Sequence, residues 1–335
     1  MVKFMTLGTP SASRMRVIFM GSPEFAVPSL EALVHEGFEV CMVCTPPDKR
    51  RSRGGPPEPT PVKKKAMELG LTVQDVLDVH DPEFHRTLRA LKADLSVVVA
   101  FRLLPNAVLD ATRLGAVNIH ASLLPAYRGA APIHHAVLNG EKETGCTLFV
   151  LNQQMDAGQI LAQKTSPIHP DDTTGDVYER LQTLGAKLLV ETLPAWDRGE
   201  LTPVHQDDRK ATPAPKVFSE DGWLRLELSA GQVHNQARAM TPTPGAWIRV
   251  QNEKVKIHRT KTLELSELPS FSRDVKPLEL GTLTLWNKRL FVGCGEQTAL
   301  EIVRLQQPGK TPITGYEYSL GRELDQLHVE YSPGL

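Results

Sequence analysis

The run Leu95-Ser96-Val97-Val98-Val99-Ala100 restricts the fold more than any other feature of the chain. A strand with one wet face alternates apolar and polar residues. This run does not alternate, so both of its faces must be covered, as in a parallel strand flanked by helices. Short β-rich runs and helix-length segments alternate around it. Arg16–Met20 reads as a strand, Phe25–Glu36 as a helix stopped by Gly37, and Glu39–Thr45 as a strand. Lys63–Leu69 is a helix closed by Gly70, Asp81-Pro82 opens another to about Ala90, and Val117–His120 is a further strand. Alternation on this scale implies right-handed βαβ units and an open, mostly parallel α/β sheet.

The chain has 335 residues, and single cores rarely grow past ~250–300, so two domains are expected. The pattern changes after Gly145. Cys146–Leu151 and Gln159–Lys164 read as two strands joined by a loop, and Thr173–Arg198 as one long amphipathic helix. A Pro-rich stretch with Pro203, Pro213 and Pro215 follows. Short β-like runs at Ala246–Val250, Val255–His258, Thr282–Trp286, Leu290–Gly293 and Ala299–Leu305 then suggest a small barrel or sandwich. The expected organisation is a flexible extension at 1–14, a first domain at 15–201, a linker at 202–218 and a second domain at 219–335.

Lys and Arg number 38 against 39 Asp and Glu, so net charge gives no general attraction to nucleic acid or membrane. No apolar run approaches the ~20 residues needed to span a bilayer. The first 14 residues lack the apolar stretch of a secretory signal. Cys41 and Cys44 are three apart in a strand and face opposite ways, so they read as inert core thiols. Reduced thiols fit a cytoplasmic protein.

Ligands of an open parallel sheet bind at the carboxyl ends of its strands. The first such turn, Gly21-Ser22-Pro23-Glu24-Phe25, is not G-x-G-x-x-G, and Pro23 removes an N–H that a phosphate would use, which disfavours a nicotinamide cofactor. Neither a Walker A pattern nor a G-x-S-x-G elbow occurs. Asn118 and His120 are two apart in a strand, so their side chains share a face. An amide that can stabilise an oxyanion beside an imidazole that can move a proton suits acyl-type transfer. The same pair could equally be a structural couple. Asp156 sits in the loop between the two later strands and would orient the imidazole if it reached it, although Asp-Ala-Gly is also plain turn chemistry.

The segment from Asn118 to Ile133, Asn-Ile-His-Ala-Ser-Leu-Leu-Pro-Ala-Tyr-Arg-Gly-Ala-Ala-Pro-Ile, resembles the signature of the folate-dependent formyltransferases. The resemblance extends to Arg16–Ala26, to Pro47-Asp48 through Arg53-Gly54, to Pro59–Lys63, to Thr144-Gly145, to Met155–Gly158 and to Thr243–Trp247. It implies a Rossmann-like catalytic domain, a carboxy-terminal OB-like β-barrel domain, and catalytic roles for Asn118, His120 and Asp156. It also implies 10-formyltetrahydrofolate as co-substrate, without a metal. Ser122, Leu123, Leu124 and Pro125 would contact the folate, with Phe101 and Leu103 walling its pocket. Two departures from the family pattern stand out: Ala100-Phe101-Arg102 replaces the common Ala-Tyr-Gly, and Ser52-Arg53-Gly54 replaces Gly-Arg-Gly.

The resemblance further implies an acceptor amine. Between Asp48 and Lys65 lie Lys49, Arg50, Arg51, Arg53, Lys63, Lys64 and Lys65, opposed only by Asp48 and Glu58. The resemblance implies initiator methionyl-tRNA as that acceptor, and Arg50, Arg51, Arg53 and Lys63 are expected to meet its phosphates. Lys254 and Lys256, in a second basic stretch, are expected on a nucleic-acid face of the second domain. The alternative acceptor is a sugar-nucleotide amine. A monomer with no membrane partner is expected.

Overall fold

The structure, a computed structural model, describes residues 15–50, 55–264, 266–275, 278–327 and 329–332. The expected extension at 1–14 and the expected tRNA contacts Arg51 and Arg53 lie outside the described residues.

Among the described residues, nine strands and six α-helices come first. The strands are β1 (Arg16–Gly21), β2 (Glu39–Thr45), β3 (Lys49–Arg50), β4 (Pro57–Glu58), β5 (Val73–Asp75), β6 (Leu95–Val99), β7 (Ala116–His120), β8 (Glu143–Val150) and β9 (Ile160–Pro167). The helices are α1 (Val27–His35), α2 (Pro61–Glu68), α3 (Pro82–Ala90), α4 (Asn106–Leu109), α5 (Pro132–Leu138) and α6 (Thr174–Asp197). Seven strands form one sheet in the order β5-β2-β1-β6-β7-β8-β9. Its first five strands pair in parallel, and β8 turns antiparallel to β7. All five residues of β6 are buried, as its unbroken apolar run requires. On one sheet face, Met20, Val98 and Ala116 pack with Phe84 and Leu88 of α3 and Val108 of α4. On the other, α6 packs against Ile119 so closely that a Cβ on Gly185 would stand 2.7 Å from the Ile119 side chain.

The later strands are β10 (Ala246–Val250), β11 (Glu253–Thr262), β12 (Leu283–Trp286), β13 (Arg289–Cys294), β14 (Thr298–Gln306), β15 (Ile313–Thr314) and β16 (Val329–Glu330). They form an antiparallel sheet in the order β12-β13-β14-β11-β10-β16, with β15 on β14. Of the expected OB-like barrel, the antiparallel sheet is present; the hydrogen-bonded path starts at β12 and ends at β16 without closing among the described residues. Sequence reading also missed a helix, α7 (Ala230–Ala239), in a region taken as wholly β. Its start is written locally: Ser229 and Gln232 form a capping box.

Two compact units emerge. One holds the chain through Pro125 with Cys146–Lys164 and Gln182–Arg209; the other holds Ala126–Gly145, Thr165–Leu181 and the chain from Lys210 onward. The Pro-rich stretch is tied within each. In the first, Val204 and Ile160 exchange backbone hydrogen bonds of 2.8 Å. In the second, the Arg128 and Ala131 N–H groups donate to Thr212 O and Ala214 O, and Ala214 N–H donates to Arg128 O. Gly129 has φ +129°, and a Cβ there would lie 2.5 Å from Ala214 O, so this ladder needs glycine.

Cys44 is fully buried, and burial pushes its thiol up to about 12. Cys41, expected in the core too, is only half-buried at the start of β2.

In the second unit, His234 of α7 is buried between the Thr260 hydroxyl (2.8 Å) and the Pro170 carbonyl (3.1 Å). Burial holds its pKa below the ordinary imidazole value; Arg238 adds to this, while the Pro170 carbonyl and Asp171 oppose it. The unfolded imidazole takes up its proton near pH ~6.5. Acid therefore favours the unfolded chain. Stability is expected to be intact at pH 7 and to fall below about pH 6.5, by at most ~1.4 kcal/mol per unit from this group. Melting temperatures from pH 7.5 to 5 should show this slope in the wild type and a shallower one in His234→Gln.

Candidate functional site

The parallel registers bring three strand ends into line. Gly21 pairs with Val99, and Val98 pairs with Asn118. Asn118 and His120 follow Ala116 on the sheet face covered by α3 and α4, and they emerge at the carboxyl edge. The Asn118 Oδ1 is buried and has no hydrogen-bond partner. An orphaned buried amide atom costs roughly 1–3 kcal/mol, so it marks a group built to meet something else. A flip of the amide places a donor at the same point.

Asp156 arrives by an indirect route. Strand β8 runs antiparallel to β7 and ends beside Ala116, where Leu151 N–H donates to Ala116 O. The loop after it must fold back along the sheet, because the Asp156 carboxylate stands 3.7 Å from His120 Nδ1. Both side chains are nearly buried, at 8% and 13% exposure. Three features hold this path. Asp156 adopts φ +52°, a strained conformation for a non-glycine residue. A Cβ on Gly158 would overlap Val150 O, so only glycine lets the loop pass. Gln206 donates from Nε2 to both Asp156 O and Gly158 O at 2.8 Å.

A second device fixes the segment after β7. Thr147 lies directly opposite His120 on β8. Its hydroxyl donates to Ser122 O (2.7 Å) and accepts from Leu124 N–H (3.1 Å) and Gln163 Nε2 (2.9 Å). That uses its one donor and both acceptor positions. Gln163 also donates to Leu124 O at 2.9 Å. Ser122 and Leu124 are consequently buried, while Leu123 and Pro125 are half-exposed. Sequence reading missed Thr147, Gln163 and Gln206. Only Thr147 carried a signal: it is a polar residue inside the apolar strand Cys146–Val150.

Phe101 is half-buried against the α3–α4 cluster, and Leu103 is exposed. Between them Arg102 donates to Leu77 O (3.0 Å) and Val76 O (3.2 Å), tying this segment to the end of β5.

The basic residues divide. Arg50 is exposed on β3, which pairs with β4 as a short antiparallel arm. Lys254 and Lys256 are exposed on β11, and the Lys254 ammonium stands 4.2 Å from the centre of the Trp247 ring. Trp247 in turn stacks on Trp223. Lys63 differs from these. Its side chain is 16% exposed, and its ammonium is bound by Asp48 at 2.7 Å and Asp75 at 2.9 Å, first Asp48 and then Asp75 raising its pKa. Lys63 thus has two carboxylate partners, where Arg50, Lys254 and Lys256 are exposed. Among the described residues no group of three His, Cys, Asp or Glu could hold a metal ion, and no helix is long and apolar enough to cross a membrane.

The chain belongs to the formyl transferase family: the family profile matches residues 14–193, and the profile of the formyl transferase C-terminal domain matches 216–323. Within it, the chain is similar to proteins named methionyl-tRNA formyltransferase. That of Chlorobium luteolum is 43% identical over 92% of this chain and 96% of its own length. That of Heliobacterium modesticaldum is 48% identical over 73% of this chain and 78% of its own length. Among solved structures, an N-formyltransferase of Helicobacter canadensis, in complex with folinic acid and dTDP-3-aminofucose, matches with a TM-score of 0.65 at 17% identity, over 88% of this chain and 99% of that one. HypX of Aquifex aeolicus, in complex with tetrahydrofolic acid, matches with a TM-score of 0.56 at 20% identity, over 91% of this chain and 47% of that one. At such identities these two speak for the fold.

Thr147→Val keeps the shape of the clamp and removes its hydroxyl. Denaturant unfolding should show a loss of about 1–3 kcal/mol, the cost of the buried Leu124 N–H deprived of its acceptor. An unchanged midpoint would mean that water satisfies this group.

Proposed function

We propose that this enzyme transfers the formyl group of 10-formyltetrahydrofolate to the α-amine of methionine esterified to initiator tRNA, giving N-formylmethionyl-tRNA for translation initiation in the cytoplasm. One observation carries the chemistry. An amide with an unpartnered buried atom sits two residues from an imidazole, and a carboxylate stands 3.7 Å from that ring. The similarity to methionyl-tRNA formyltransferases over most of the chain supports the acceptor.

In this reading the neutral amine attacks the formyl carbon, a C–N bond forms, and the carbonyl electrons move to oxygen. Asn118, turned so that its N–H₂ faces the site, donates to that oxyanion. His120 takes the proton released by the amine and delivers it to the folate nitrogen as the C–N10 bond breaks and the carbonyl reforms. Asp156, 3.7 Å from Nδ1, holds the imidazole in orientation. Tetrahydrofolate leaves, and no redox partner is required. Thr147 and Gln163 keep the Ser122–Pro125 stretch in place for the folate, with Phe101 and Leu103 beside it. Arg50, Lys254 and Lys256 supply exposed positive charge for tRNA phosphates, and Arg51 and Arg53 add charge from the same basic run of the sequence. The OB-like shape of the second domain belongs to the same reading: a Cβ on Gly281, just before β12, would lie 3.2 Å from Val329 O of β16, so the two ends of that sheet approach.

The test offers the enzyme 10-formyltetrahydrofolate with either methionyl-initiator-tRNA or a nucleotide-linked amino sugar. Formylation of the tRNA with at least ~10²-fold preference is expected, a ratio that a site built for one acceptor reaches. Formylation of the sugar alone would reverse the assignment. Asn118→Ala should lower kcat by about 10²–10³, the usual effect of losing one oxyanion donor, with the folate KM little changed.

A further inference from the structure

The arm formed by β3 and β4 leaves the main sheet between β2 and α2, and its base is pinned more firmly than a basic loop requires. The Thr45 hydroxyl at the end of β2 meets the Thr60 hydroxyl at 2.6 Å, and Thr60 also caps α2 by accepting from Lys63 N–H at 3.1 Å. Three residues past Thr45 stands Asp48, immediately before β3. The Lys63 ammonium contacts it at 2.7 Å and also binds both oxygens of Asp75 at 2.9 Å. Asp75 belongs to the main sheet, paired with Thr45 across β5 and β2. Lys63 thus joins the root of the arm, the first turn of α2 and an edge strand in one ion triad. The arm itself is held by the pairs Lys49–Glu58 and Arg50–Pro57.

We infer that the Asp48–Lys63–Asp75 triad is a positioning device for tRNA recognition: it fixes the root of the β3–β4 arm on the sheet, so that the exposed Lys49 and Arg50 meet phosphates at a set angle, and Lys63 touches no phosphate itself. This rests on the tRNA-acceptor reading. A loose arm would pay an ordering cost at each encounter; a pinned one presents its charge already oriented.

Asp48 gives the inference an unusual sign. If Lys63 bound phosphate, removing the neighbouring carboxylate would free its charge and tighten RNA binding. If Lys63 is an anchor, removing Asp48 frees the arm and weakens binding although a negative charge has been lost. Steady-state kinetics on methionyl-tRNA should therefore show KM for the tRNA raised about fivefold by both Lys63→Met and Asp48→Ala, the scale of a well-placed ion pair. The KM for the formyl donor and kcat should hold, and Lys63→Arg should restore most of the loss. A lower tRNA KM in Asp48→Ala, or a log–log salt slope reduced by about one unit in Lys63→Met, would make Lys63 a phosphate contact and overturn the inference. Hydrogen exchange tests the anchor without any acceptor. The Lys49, Arg50 and Glu58 amides should exchange faster in both variants while β1 stays protected. Unchanged exchange would refute the anchor, and faster exchange in an enzyme that ignores tRNA would leave the anchor standing and fault the acceptor reading.

Discussion

The pairing of β7, parallel to β6 on one side and antiparallel to β8 on the other, sets everything that follows at the site. The parallel register places Asn118 beside Val98 and ends β7 at the carboxyl edge, where an open sheet leaves room for a ligand. The antiparallel register places Thr147 opposite His120, where its hydroxyl can reach the chain leaving β7. A slip of one residue in either ladder would turn Asn118 and His120 to the α6 face, where Ile119 now packs against Gly185. Apolar packing on both faces resists that slip, so core and chemistry share one constraint.

Rigidity around the site comes from polar groups spent on backbone. Thr147, Gln163 and Gln206 donate or accept almost wholly to main-chain atoms of two loops, one after β7 and one carrying Asp156. The second loop also stores strain, in the positive φ of Asp156. Strain of this kind persists where surrounding contacts over-determine it, and here Gly158 and Gln206 supply them. The carboxylate is thus delivered to the imidazole by a path that β8 alone would not give.

Much of this was legible in the chain itself. The unbroken run at Leu95–Val99 announced a doubly covered strand, and the period of two put Asn118 and His120 on one face. The reach of Asp156 was not legible, because it depends on a backbone crossing at Gly158 and on a glutamine fifty residues later. The partners of Lys63 were not legible for a related reason. In sequence it belongs to a basic run, and its acidic neighbour Asp75 is brought near only by the pairing of β2 with β5. Helix α7 lies hidden among β-rich runs despite its Ser229–Gln232 box, and the period that puts Cys41 in a strand does not say where along that strand the covering layer ends.

The claim at the centre of this account is that the face of β7, with Asp156 laid over it, moves a formyl group and its proton. Single-turnover transfer of an isotopically labelled formyl group from 10-formyltetrahydrofolate to methionyl-tRNA, run beside direct measurement of folate binding in the same His120→Ala protein, addresses it most directly. The account predicts folate affinity close to that of the wild type and transfer slowed by about 10²–10⁴, the range for losing a positioned proton carrier. Transfer at the wild-type rate would contradict it.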